Sequence, residues 1–161
     1  MYLFFLSFLS GALVKFVDDI EDKKKKWPIA NSHWLMAVLY GIIIGYLISQ
    51  ATFSMLFLAA LFAQALAGKI DRKSHVIGFL VAIILAAYFG LPTLEQIPFA
   101  IFLIAAYLDE MTLFGKLKIF TEYRLFLKIA ALAFIVIGRL DYLISIIAFD
   151  LGYMLMEKYT K

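Results

Sequence analysis

The sequence predicts an all-α integral membrane protein of about seven short transmembrane helices. Three observations carry that expectation: 65% of the 161 residues are hydrophobic, only 17% are charged, and the lysines and arginines fall almost wholly between alternate apolar blocks. A soluble domain carries roughly 25% charged and 45–50% apolar residues, so a mean hydropathy of +0.94 points to lipid as the solvent for most of this chain.

The apolar blocks are Tyr2–Val17, Trp34–Leu66, Val76–Leu91, Ile97–Leu108 and Leu125–Met156. The first is short and N-terminal, but it has no preceding basic region and is followed by Asp18-Asp19, so it reads as a mature helix and not as a signal peptide. Two blocks are too long. A single helix over Trp34–Leu66 would run roughly 50 Å, against a hydrocarbon core of about 30 Å. Each long block has a polar centre, Ser49-Gln50-Ala51-Thr52 in one and Gly138-Arg139-Leu140-Asp141 in the other, where a helical hairpin would turn. The expected spans, in a single domain over 1–161, lie near residues 2–17, 34–48, 53–66, 76–91, 97–113, 125–138 and 142–156. The fifth is extended past Asp109 and Glu110, which places both acids inside its cytoplasmic end.

With seven spans, all of the fifteen basic residues except Arg139 fall on one side, provided Lys15 snorkels toward it. Positive charge marks the cytoplasmic face, which puts the N-terminus outside and the C-terminus in the cytoplasm of a cell-membrane protein. Spans one to three and five to seven share one plan: a helix ending in acidic residues, a charged loop, then a hairpin with a polar turn. Four spans separate the two units, so they have the same orientation in a parallel three-plus-one-plus-three arrangement, with Asp19 corresponding to Asp109.

The sharpest local motif is Asp18-Asp19-Ile20-Glu21-Asp22, followed by Lys23 to Lys26. On a continuing helix, Asp22 faces the same way as Asp18 or Asp19, and such carboxylates share a hard cation such as Mg²⁺. The same run also suits a solvated juxtamembrane segment that stops a helix and fixes topology. DDIED matches a DDxxD pattern, and the stretch from Asp18 to Trp34 resembles a shortened first Asp-rich loop of the UbiA-type membrane prenyltransferase superfamily. That resemblance implies a helical bundle with a cytoplasmic-side cavity and a second acidic motif four helices later, where Asp109 and Glu110 stand. It further implies Mg²⁺ held by Asp18, Asp19, Asp22, Asp109 and Glu110, an isoprenyl diphosphate substrate, and diphosphate contacts from Lys116, Lys118 and Arg124. The chain departs from the family pattern in being shorter, in lacking the Asn that opens the first motif, and in lacking the later Asp of the second.

Two polar residues lie at mid-span depth, Asp150 and Gln64, and they read as partners or as a functional pair, since an ionised carboxylate in lipid must be paired or neutral. Gly41 and Gly45 form a GxxxG suited to close helix packing within the chain. His33 and His75 at cytoplasmic helix ends read as capping residues. The absence of cysteine excludes disulfides and thiolate chemistry. With no Walker, GxSxG, HExxH or EF-hand pattern, soluble-type nucleotide, hydrolase, zinc and calcium mechanisms find no support, and the lysine run points to anionic lipid and not to nucleic acid. Three functions fit these features: a Mg²⁺-dependent lipid enzyme acting on isoprenyl diphosphate, a small transporter, or a non-catalytic membrane scaffold.

Overall fold

The computed structural model is all-helical over the residues it describes, 1–23, 32–112, 114 and 117–160, the side chains of residues 22 and 23 excepted. Eight α-helices and no strand occur among them: α1 (Tyr2–Lys23), α2 (Ser32–Ser49), α3 (Ser54–Leu66), α4 (Lys73–Phe89), α5 (Gln96–Glu110), α6 (Lys118–Glu122), α7 (Leu125–Ala133) and α8 (Leu140–Thr160). A 3₁₀ turn, Phe134–Ile137, continues α7. Lys24 to Lys26, Trp27, Leu113 and Lys116 lie outside the described residues.

Helix ends follow local chemistry. After α3 the chain turns at Gly68 (φ 68°), and Lys69 N–H donates to the Gln64 carbonyl at 3.0 Å, a bond that closes the last turn once a residue without Cβ supplies the left-handed conformation. Gly138 (φ 81°) does the same after the 3₁₀ turn, with Arg139 N–H 3.0 Å from the Phe134 carbonyl. Pro98 sits in the first turn of α5, where its missing N–H costs nothing. Both polar tetrads mark helix-to-helix turns, after α2 and before α8. The fifth helix ends at Glu110, short of the expected Leu113, so Asp109 and Glu110 form its last turn. The helix α6 had no apolar signature in the sequence and is a structural addition.

Small residues set the closest packing. Along the α1–α8 contact, a methyl on Gly11 would stand 2.0 Å from the Phe149 carbonyl oxygen and one on Gly152 1.9 Å from that of Phe8. Ser7 and Ser145 share a buried hydrogen bond of 2.7 Å on the same contact. The Gly41/Gly45 pair packs against Gly78 and Ala82 of α4, within the chain. The most extensive contacts are α1 with α8, α2 with α4, and α3 with α5.

The end opposite the acidic motif is tied by Arg139. Its guanidinium donates to the Thr52 carbonyl at 2.9 Å, pairs with Asp141 at 3.2 Å and Glu95 at 3.8 Å, and covers the Tyr142 ring at 4.1 Å. Both hairpin turns and the loop before α5 thus meet at one end. Below them Phe102, Phe134 and Tyr142 form an aromatic cluster with centroids 4.7–5.5 Å apart.

Large apolar side chains are exposed all round the molecule at helical spacing, such as Leu35, Leu39 and Ile42 on α2, Val76, Leu80 and Ile84 on α4, and Ile97, Ile101 and Ile104 on α5. Among the described residues α2 alone is both long and apolar enough to cross a bilayer unaided; α3, α4 and α7 with its 3₁₀ turn are shorter apolar helices. The helices α1 and α8, of 22 and 21 residues, are longer but carry charges in their turns at the acidic end.

Candidate functional site

At that charged end the last turn of α5 meets the first turn of α7. Asp109 is buried, and its two oxygens accept the backbone N–H groups of Phe126 at 3.1 Å and Leu127 at 2.8 Å. These are two of the four donors that a helix start leaves unsatisfied, so a side chain from another helix performs the capping that no residue of α7 provides. The carboxylate also suits the positive end of the α7 dipole.

Arg124, immediately before α7, is the one described non-glycine residue with positive φ, at 50°. That conformation costs about 1–2 kcal/mol for a residue with a Cβ. It turns the side chain back on α8, where Nη1 lies 3.3 Å from Asp150 Oδ1 and the guanidinium covers the Phe149 and Tyr153 rings at 5.0 Å each. Lys128, one turn into α7, brings Nζ to 2.5 Å from Asp150 Oδ2. Burial works against the Arg124 charge, but Asp150, Tyr153, Glu110 and Asp18 together offset that and hold the guanidinium above its ordinary pKa. With Asp150 14% and Arg124 23% exposed, this is an ion cluster largely removed from water. Asp150 is therefore paired, but with Arg124 and Lys128 and not with the expected Gln64.

On the opposite wall, the two acids that open the DDIED run diverge, because adjacent helical residues point about 100° apart. Asp18 Oδ1 lies 3.0 Å from His75 Nε2 of α4, and its Oδ2 accepts the Tyr153 hydroxyl at 3.1 Å. Asp19, 2% exposed, pairs with Lys15 at 3.3 Å and accepts the Thr160 hydroxyl. Ser74 donates to Glu21, and the Tyr40 hydroxyl lies 3.1 Å from His75 Nδ1. His75 is thus a link between helices and not the cap expected of it.

Between these walls lies a cavity of about 100 Å³. Gln64, Lys69, His75, Asp109, Glu110, Arg124 and Asp150 line its polar part, and Ile44, Leu56, Phe57, Leu61, Phe79 and Ile146 line its apolar part. A shallower polar depression of about 320 Å³ shares Lys69, Asp109 and Glu110 with it and adds Lys118, Thr121 and Glu122. Of the residues singled out in the sequence, Asp109, Glu110, Arg124, Asp150, Gln64 and His75 converge on the cavity, and Lys118 on the depression. Asp18 reaches the cavity only through His75, and Asp19 turns toward the end of α8. The Asp22 side chain and Lys116 lie outside the described residues. Tyr40, Lys69, Lys128 and Tyr153 were not singled out; Tyr40 beside Gly41 and Lys128 four residues after Arg124 were the available signals.

Of the carboxylates expected to hold Mg²⁺, the Asp22 side chain lies outside the described residues. No three His, Asp or Glu side chains among the described residues surround a point that would hold a metal ion. Both Asp109 oxygens face backbone donors, and both Asp18 oxygens face His75 or Tyr153. Comparison with family models, curated proteins and solved structures finds no match to this chain.

Proposed function

We propose that this chain is a multi-pass protein of the cell membrane that binds an isoprenyl diphosphate or related phosphorylated lipid in the cavity at its cytoplasmic end. The observation that carries the reading is the cavity's division into an apolar part between helices and an ionic part beside Arg124 and Lys69, which matches an amphiphile with an anionic head. The large apolar side chains exposed at helical spacing on α2, α4 and α5 suit lipid as their surroundings. The charge segregation supports seven spans with the N-terminus outside and the C-terminus inside. The parallel repeat has support in the packing: α1 lies mainly on α8 and α5 on α3, so the first helix of each unit meets the last of the other, as a two-fold relation requires.

The UbiA-type resemblance favours the isoprenyl diphosphate class. Asp18, Asp19 and Asp109 are engaged by protein donors, so lipid binding is the function the geometry favours, and prenyl transfer would need a cation site completed elsewhere. The test is thermal unfolding of the protein in lipid nanodiscs with farnesyl diphosphate. Saturable stabilisation of about 2.7 kcal/mol at a hundredfold excess over Kd is expected, and it should vanish in Ala60→Phe, which sets a ring into the cavity that Ala60 of α3 helps to line. No stabilisation of the wild type, or an equal effect in the filled variant, removes the reading.

A small transporter is the second reading, favoured by the placement of Asp150 on the cavity wall between the two units. It requires solute or proton flux in proteoliposomes that Asp150→Asn abolishes; absence of flux in both proteins rejects it.

A further inference from the structure

The short helix α6 buries none of its side chains, so core packing does not account for its place. Its first and last residues, Lys118 and Glu122, are one turn apart and share a face, and both line the polar depression outside the cavity. Lys69 and Glu110 line the depression as well as the cavity, so they stand where the two spaces meet. Each sign of charge is thus present once at the cavity mouth and once farther out.

None of these four side chains has an ion-pair or hydrogen-bond partner among the described residues. The other acids beside them are engaged: Asp109 accepts the Phe126 and Leu127 N–H groups, and Asp150 is shared by Arg124 and Lys128. What remains at the mouth is a pair of ammonium groups and a pair of carboxylates, whose charges cancel. A head group that carries phosphate alone sets its negative charge beside two glutamates that it cannot pair, and like charges brought together in this way select against a ligand. A head group that carries both phosphate and ammonium pairs with all four.

We propose that the depression is the head-group site of the lipid bound in the cavity, and that it takes a phosphate ester bearing a primary ammonium group, the chemistry of a phosphoethanolamine lipid. Lys69 and Lys118 hold the phosphate as flexible point charges. Glu110 and Glu122 accept from the ammonium group, and the tail passes between Lys69 and Glu110 toward Leu56, Phe57 and Leu61.

This assignment rests on the lipid-binding reading and narrows it to one kind of head group. The experiment is thermal unfolding in an uncharged maltoside detergent with lysophosphatidylethanolamine, with lysophosphatidylglycerol of the same acyl chain, which lacks the ammonium group, and with farnesyl diphosphate. The wild type should bind the ethanolamine lipid about threefold or more tightly than the glycerol lipid, as exposed ion pairs allow. Glu110→Gln with Glu122→Gln should abolish that preference, and Glu122→Gln alone, at an exposed site, should reduce it. Farnesyl diphosphate should bind both variants at least as tightly as the wild type, which also shows that they are folded. Equal affinity for the two lysolipids in the wild type, or a preference that survives the double substitution, overturns the head-group assignment while farnesyl diphosphate still decides the lipid reading. Stabilisation by free phosphoethanolamine equal to that by the lipid overturns the lipid as the source of the head group. If none of the three lipids stabilises the protein, the lipid-binding reading falls and this assignment with it.

Discussion

The two buried acids near the cavity, Asp109 and Asp150, are held in different ways, and their removal should have different consequences. Asp109→Ala leaves the Phe126 and Leu127 N–H groups without an acceptor, which should cost about 1–2 kcal/mol and speed hydrogen exchange in the first turn of α7 before other helices are affected. Asp150→Ala strands Arg124 and Lys128 beside aromatic rings, and removal of one member of a buried ion cluster typically costs about 3–5 kcal/mol. Chemical denaturation in detergent should therefore rank Asp150→Ala as the more damaging change, with Arg124→Met and Lys128→Met added to it restoring part of the loss. The sequence marked both residues, because acids inside apolar blocks are conspicuous. It could not supply their partners: a capping acid seventeen residues from its helix and an arginine with positive φ have no signature in composition or spacing.

At the level of helices, apolar blocks and their polar centres were enough to locate most of the elements, while the ends at Gly68 and Gly138 show in the backbone. The short α6 and the 3₁₀ turn were not legible, since neither carries a periodic apolar pattern that distinguishes it from its surroundings. The GxxxG of α2 was visible, whereas Gly11 and Gly152, which make the tightest approach, lie 141 positions apart and form no motif. Gly152→Ala sets a methyl against the α1 backbone, which cannot rotate away, and overpacking of this kind costs about 1–3 kcal/mol. Gly68→Ala meets open space but must hold a left-handed backbone, with a loss of about 1 kcal/mol. A urea series on the two variants should show the larger shift for Gly152→Ala; equal shifts would mean that α1 and α8 separate at little cost.

For the molecule as a whole, the side on which each charge lies decides more than the net charge. The chain has no cysteine, so single introduced thiols report topology without background. A cysteine at Ser49 should react with an impermeant maleimide from outside intact cells, and one at Lys158 only after permeabilisation; the reverse pattern would invert the protein and place the cavity outside. The expected topology rests on charge segregation, a property of sequence order, whereas the cavity, which only the resemblance implied, is lined by residues from distant helices that no spacing brings together. The Arg139 clasp bears on how such a cavity fills. It fastens both hairpin turns and the loop before α5 at one end. At the other end Asp109, Asp18 and Asp150 tie α5 to α7, α1 to α4 and α7 to α8, so a guest entering there must pass between polar clasps and not through a loose apolar seam.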